Sequence, residues 1–227
     1  MARDTILFDI NETVLDLAPL RPKFERALGD ATVASTWFAM LLHASTVCAL
    51  TGVKTGFAEL AGLTLDRLAS LHGRTLSGED RGDILDSFAS LAPHDDVRPA
   101  VEVLRDHGYR TVAFSNSSLN LVTKQIANSG LGGNFDVALS VEETGSFKPD
   151  AKVYEFAAAR LDRPIGDLRL IAAHDWDTHG ALSAGMQAAY LDRTGAPYNP
   201  LFRRPEISAA TMVNLADRII AADAASI

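Results

Sequence analysis

Apolar runs carrying β-branched residues recur along the chain: TILFDI (5–10), RTVAFSN (110–116), FDVALS (135–140), LRLIAAH (168–174) and AAYLD (188–192). They are too continuous for the in-and-out alternation of a half-exposed sheet, so they read as strands buried on both faces. Between the later runs the apolar period becomes helical. RPAVEVLRDHG closes at Gly108 and LNLVTKQIANSG at Gly130, DAKVYEFAAARL opens at the N-cap residue Asp150, and DTHGALSAGM follows the run ending near His174. This alternation predicts a parallel sheet with right-handed crossovers.

The first strand breaks the rhythm. After it, residues 18–92 read as helix throughout, with LRPKFERALG, ATVASTWFAMLLHASTVCALTG, FAELAGLTLDRLASLHG and GDILDSFASLA in succession. That is too much helix for one crossover, and APHDDVRP (92–99) reads as a return linker. The expected architecture is α/β: a Rossmann-like parallel-sheet core from residues 1–16 and 95–227, with an inserted α-helical cap domain at 17–94. Ligands of open parallel sheets bind beyond the carboxyl ends of the strands, and a cap springing from the first strand would sit over that edge.

Composition changes this picture little. The 227 residues are 47% hydrophobic and 22% charged, as in an ordinary globular chain. A net charge of −8 with no basic stripe argues against a nucleic-acid partner, so an anionic substrate must be drawn in by a local site. Cys48 is the only cysteine, which leaves no disulfide framework and no thiolate metal cluster. The opening MARDTILFDI has too short an apolar run for a signal peptide, and nowhere do eighteen apolar residues follow one another without interruption. A cytoplasmic protein without a membrane partner is the expectation.

Polar groups stand just past the expected strand ends: Asp9, Ser115-Asn116, and His174-Asp175-Trp176-Asp177, with Lys148 in the loop SFKPD. Each has an ordinary reading as a turn, cap or solvated loop residue. The topology nevertheless brings them to one edge, where a different chemistry is available. A carboxylate such as Asp9 can attack as a nucleophile and form an ester that water later hydrolyses. A neighbouring ammonium, here Lys148, would keep it ionised. The Ser115 hydroxyl, the Asn116 amide and backbone N–H groups could receive negative oxygens.

In this order FDINET, FSNSS, SFKPDAKVYE and HDWDTHGA resemble the four signature motifs of the haloacid dehalogenase superfamily, and most closely its type II (L-)2-haloacid dehalogenase branch, over essentially the whole chain. The resemblance implies hydrolytic dehalogenation of small (S)-2-haloalkanoic acids to 2-hydroxy acids. Asp9 would attack the α-carbon and expel halide with inversion, and water would then cleave the aspartyl ester. Thr13 would support Asp9, Lys148 would neutralise charge around it, and Asp177 would orient Lys148 or help activate water. Ser115 would hold the substrate carboxylate and Asn116 would lie near the leaving halide. Ile10, Asn11, Trp37, Phe38, Tyr154 and Trp176 would complete the substrate site. No cofactor and no metal is implied, the partner being a small halogenated carboxylic acid. The apolar cap helix around residues 37–50 offers a face for a homodimer.

Asn11 bears on the reaction type. Phosphatases of the superfamily carry an aspartate there to protonate the leaving alkoxide, which an amide cannot do. Halide departs as a stable anion and needs no proton. Four positions depart from the branch's pattern. Phe38 stands where an arginine follows the tryptophan, so that a phenyl edge and the Trp37 indole N–H would receive the halide less strongly. Ala172 and His174 stand where serine and asparagine are usual; His174 could replace the amide, serve as the base for water, or be a satisfied structural histidine. Glu12 replaces a glycine and is expected to point to solvent, and His43 could face the site from the cap. The alternatives are a magnesium-dependent phosphatase of the same superfamily, with Asp9 and Asp177 as ligands, and a non-catalytic carboxylate-binding relative.

Overall fold

Thr5–Phe8 is buried residue by residue, as a strand covered on both faces must be, and it forms β1 at the centre of a parallel sheet. In this computed structural model, which describes residues 4–225, the sheet order is β3-β2-β1-β4-β5-β6. Its strands are β2 (Arg110–Ser115), β3 (Val137–Ser140), β4 (Leu168–Ala172), β5 (Gln187–Leu191) and β6 (Ile207–Ala209). The first three residues of the stretch read above for a leader lie outside the described residues. Phe8 lies opposite Ala113 of β2 and Ile171 of β4, so three strands end side by side at one edge.

The helical segment between β1 and β2 comprises α1 (Arg21–Leu28), α2 (Val33–Thr51), α3 (Phe57–Leu71) and α4 (Gly78–Ser87). Gly29 and Gly52 end α1 and α2 at φ +80° and +72°, left-handed positions where a side chain would be strained. The segment has its own aromatic core: Trp37 lies 5.4 Å from both Phe24 and Phe88, and Phe38 lies 6.1 Å from Phe88. By length and composition alone α2 could cross a membrane, but Trp37, Phe38 and Leu41 are buried in this cluster. Its far end leaves Val47 and Leu50 exposed. The two connections to the sheet run alongside each other. Asp16 N–H donates to Ala92 O and His94 N–H to Val14 O, so entry and exit form a short stem.

The rest of the sheet is clothed by α5 (Val97–Asp106), α6 (Leu119–Asn128), α7 (Ala151–Leu161), α8 (Asp175–Ser183) and α9 (Met212–Ala224), with α5 packed on α9 and α7 on α8. Asp150 caps α7 as expected, its carboxylate accepting from Lys152 N. The linker expected at 92–99 is shorter, because α5 begins at Val97 and takes Pro99 into its first turn, where no backbone N–H is needed. Helix α4 begins earlier than its apolar pattern indicates, with Ser77 accepting from Asp80 N as its cap. Strand β6 and helix α9 have no counterpart in the sequence reading.

Candidate active site

The chain leaves β1 at Asp9 and turns at once. Ile10 O accepts the N–H groups of both Val14 and Leu15, and Glu12 adopts φ +64°, a left-handed conformation uncommon for a residue with a side chain. The turn swings Thr13 back over Asp9. Thr13 Oγ1 donates to Asp9 Oδ2 at 2.8 Å while accepting from Ala173 N at 2.9 Å, which ties the ends of β1 and β4 together.

Lys148 arrives in the loop after β3 and is 1% exposed. Its ammonium donates to Asp9 Oδ1 at 3.0 Å, to Asp177 Oδ2 at 2.9 Å and to Phe114 O at 3.0 Å, and it lies 4.5 Å from the centre of the Phe114 ring. All three protons are therefore used. Asn116 steadies the loop by accepting Lys148 N–H on Oδ1 at 3.0 Å. Burial would raise the Asp9 carboxyl, but the charge of Lys148, with His174 and Thr13, outweighs it and holds Asp9 well below the usual carboxylate range. Burial opposes the charged form of Lys148 too, and the Asp177 and Asp9 charges reverse this and raise it.

Asp177 is fully buried, its other oxygen accepting from Tyr154 Oη at 2.6 Å. Burial, together with the Asp9 charge, outweighs the pull of Lys148 and lifts its carboxyl above the ordinary value. Gly180 explains how α8 comes so close: a Cβ there would stand 2.6 Å from Pro149 Cβ and 2.7 Å from Tyr154 Oη. Gly180→Ala should therefore lower stability by about 1–3 kcal/mol. That is roughly 2–4 °C of melting temperature per kcal/mol, readable by calorimetry, and an unchanged melting temperature would contradict the contact.

His174 departs most from expectation. Nδ1 lies 3.2 Å from Asp9 Oδ2 and Nε2 lies 2.8 Å from Glu12 Oε2, with Trp176 stacked on one side at 5.2 Å and Phe38 at 6.3 Å. Burial would lower its pKa, but the two carboxylates raise it from 6.5 to about 10. The ring is an imidazolium at neutral pH, so in the resting protein it is not a base for water. Glu12, expected to point to solvent, stays partly exposed at the cleft but holds His174.

Other expectations need correcting. Trp37 has no indole N–H to offer a halide, because Nε1 donates to Ala61 O at 3.0 Å inside the helical segment. Tyr154 is fully buried behind Asp177 and lines no substrate space. The Ile10 side chain points into the core. Asn11 is a buried brace, accepting from Gln125 Nε2 at 3.1 Å and donating to Ser117 Oγ at 3.4 Å. Ser115 is buried at the end of β2, its Oγ accepting from Ser117 N at 3.1 Å. His43 is exposed on α2. Asp9, Thr13, Lys148, Asp177, His174, Phe38 and Trp176 stand together, with Ser115 and Asn116 at the end of β2 beside them.

A cleft of about 600 Å³ reaches Glu12 and His174 from between Ala34-Ser35 of α2 and Arg193-Thr194 beyond β5. The magnesium arrangement does not fit these residues: the Lys148 ammonium already bridges Asp9 and Asp177, where a divalent ion would meet a like charge.

The sequence profile of haloacid dehalogenase-like hydrolases matches residues 3–167. An (S)-2-haloacid dehalogenase of Pseudomonas putida is 26% identical over 203 residues, covering 88% of this chain and 89% of that protein. Among solved structures, the L-2-haloacid dehalogenase RSc1362 superimposes with a TM-score of 0.92 at 20% identity, over 97% of this chain and all of that one. The Xanthobacter autotrophicus L-2-haloacid dehalogenase with chloropropionic acid covalently bound gives 0.88 at 19% identity, over 97% of this chain and 99% of that one. At these identities the structural matches speak for the fold.

Proposed function

The chain belongs to the haloacid dehalogenase-like hydrolases, and from that premise we propose that it hydrolyses the carbon–halogen bond of small (S)-2-haloalkanoic acids through an ester on Asp9. The observation that carries this reading is the buried Lys148 ammonium between Asp9 and Asp177. It keeps Asp9 an anionic nucleophile without a metal ion. Oδ1 bears one donor and keeps a lone pair for attack, whereas Oδ2 bears two, from Thr13 and His174. Attack by Oδ1 opposite the halogen forms the C–O bond as the carbon–halogen pair leaves with the halide, inverting the carbon. Asn11 supports the choice of leaving group, since an amide at that position, held by Gln125 and Ser117, cannot protonate an alkoxide. Asp177, held by Lys148 and Tyr154, acts by fixing Lys148.

The test is bromide release from (S)-2-bromopropionate in excess EDTA. Steady release, with the 2-hydroxy acid as organic product, is expected. Release that depends on added magnesium, or turnover of phosphate esters and not of the haloacid, would overturn the proposal.

A further inference from the structure

Two carboxylates hold one histidine in this site, and only one of them keeps its charge through the reaction just proposed. We infer that Glu12 is a positioning residue that keeps His174 an N–H donor to Asp9 Oδ2 while Asp9 is esterified, so that His174 and Thr13 together receive the oxyanion of ester hydrolysis. The inference rests on the aspartyl-ester reading and goes beyond it in assigning the second step.

The geometry selects the oxygens. Once Oδ1 is bonded to the substrate carbon, Oδ2 is the carbonyl oxygen of the ester. It already faces Thr13 Oγ1–H at 2.8 Å and His174 Nδ1 at 3.2 Å. Water adds to Asp9 Cγ, forming a C–O bond as the carbonyl π pair moves onto Oδ2. Collapse restores that π bond and breaks Cγ–Oδ1, and the hydroxy acid leaves with one of the water's protons. The other proton passes to solvent, and Asp9 returns as a carboxylate. Preorganised donors aimed at an oxygen that gains charge act on the transition state.

Forming the ester neutralises Asp9 and so removes one of the two anions that keep His174 charged. Glu12, 2.8 Å from Nε2, retains its charge. The remaining charged or titratable groups nearby are Asp175 and Asp177 on α8, Lys148 beyond Asp9, and Arg21, Arg193, Asp16 and the histidine His94 around the cleft. None of these is hydrogen-bonded to the His174 ring; Glu12 and Asp9 are. The backbone points the same way: Glu12 keeps its side chain at φ +64°, where glycine would be free of strain. The pKa of His174, raised to about 10 by these two partners, agrees with the arrangement.

The test compares the wild type with Glu12→Gln, which keeps the shape and loses the charge, and Glu12→Gly, which also relieves the backbone. Ring-nitrogen NMR of His174 in the resting protein should titrate near 10 in the wild type and lower by more than about one unit in both variants. With (S)-2-bromopropionate, the variants should accumulate the Asp9 ester, visible by mass spectrometry. Their kcat should fall about 100-fold at alkaline pH, with a smaller loss at about pH 6, where the histidine is charged without help. An unchanged His174 titration overturns the inference whatever the activity. So does wild-type kcat in Glu12→Gln across the alkaline range. A wild-type enzyme that releases no halide defeats the haloacid reading and takes the inference with it, an outcome told apart from the inference's own failure by halide release in the wild type.

Discussion

Asp9→Asn should abolish bromide release from (S)-2-bromopropionate, with a loss of at least about 10⁴-fold in kcat. The substitution changes almost nothing in shape, but it removes the anion. An amide oxygen is too weak a nucleophile to displace halide from carbon, and the neighbouring carboxylates that share its partners are not placed to replace it: Asp177 is fully buried with both oxygens held by Lys148 and Tyr154. Glu12 stands on the far side of the His174 ring from Asp9, bound through Nε2. Mass spectrometry after mixing with substrate should show no covalent adduct in the variant. The fold should survive, because the shape is kept and the single amide oxygen still accepts on the side it faces, from Thr13 and His174 or from Lys148. Retention of even a tenth of wild-type activity in the folded, undeamidated variant would sink the covalent mechanism, since a water-attack mechanism assisted by Lys148 and His174 would then have to carry the reaction.

The parts of this site that the sequence discloses are those fixed by topology. Asp9, Ser115 and His174 follow apolar runs, and a parallel sheet delivers the ends of β1, β2 and β4 to one edge whatever the side chains do next. Lys148 and Asp177 join them through the motif resemblance. What was not legible depends on contacts between distant segments. Trp37 reads as a free donor until α3 is packed beside it and Ala61 O accepts the hydrogen bond of its indole N–H. Tyr154 reads as a substrate contact because its spacing in α7 says nothing about the close approach of α8 that Gly180 permits. The charge of His174 depends on Asp9 and on a left-handed turn at Glu12, and no local pattern announces such a turn in a residue other than glycine or asparagine. The glycine usual at that position was the available signal. In the fold, β6 escaped because it is only Ile207–Ala209 at the sheet edge. Helix α9 could have been found from the Thr211 cap and the apolar spacing of Met212, Leu215, Ala216 and Ile219.

Lys148→Met is the second decisive substitution, and its effect is on stability as much as on rate. Methionine fills much the same volume but leaves Asp9 and Asp177 buried without the ammonium that bridges them at 3.0 and 2.9 Å. Removing one partner of a buried ionic cluster costs about 3–5 kcal/mol, which for a chain of this size is on the order of 10 °C in melting temperature. The sign of its pH dependence follows from the carboxyls. In the wild type Asp9 lies below the ordinary carboxylate range, so its contribution is present above the unfolded value of about 3.9 and is lost only as pH falls below that. Without Lys148, burial is opposed at Asp177 only by the Tyr154 hydrogen bond, and at Asp9 only by His174 and Thr13. Folded-state carboxyls raised in this way favour the native form at low pH and disfavour it as pH rises through their new values. The deficit of Lys148→Met relative to the wild type should therefore be small near about pH 5 and full near about pH 8. His174 contributes a separate decline in the wild type, its stabilisation being complete below its ordinary 6.5 and fading as pH rises toward about 10. Halide release should fall by at least about 10³-fold, since the nucleophile loses both its ionisation and its orientation. A melting deficit of equal size at every pH would mean that methionine disturbs packing alone, and that the ammonium is not what keeps these two carboxylates charged inside the protein.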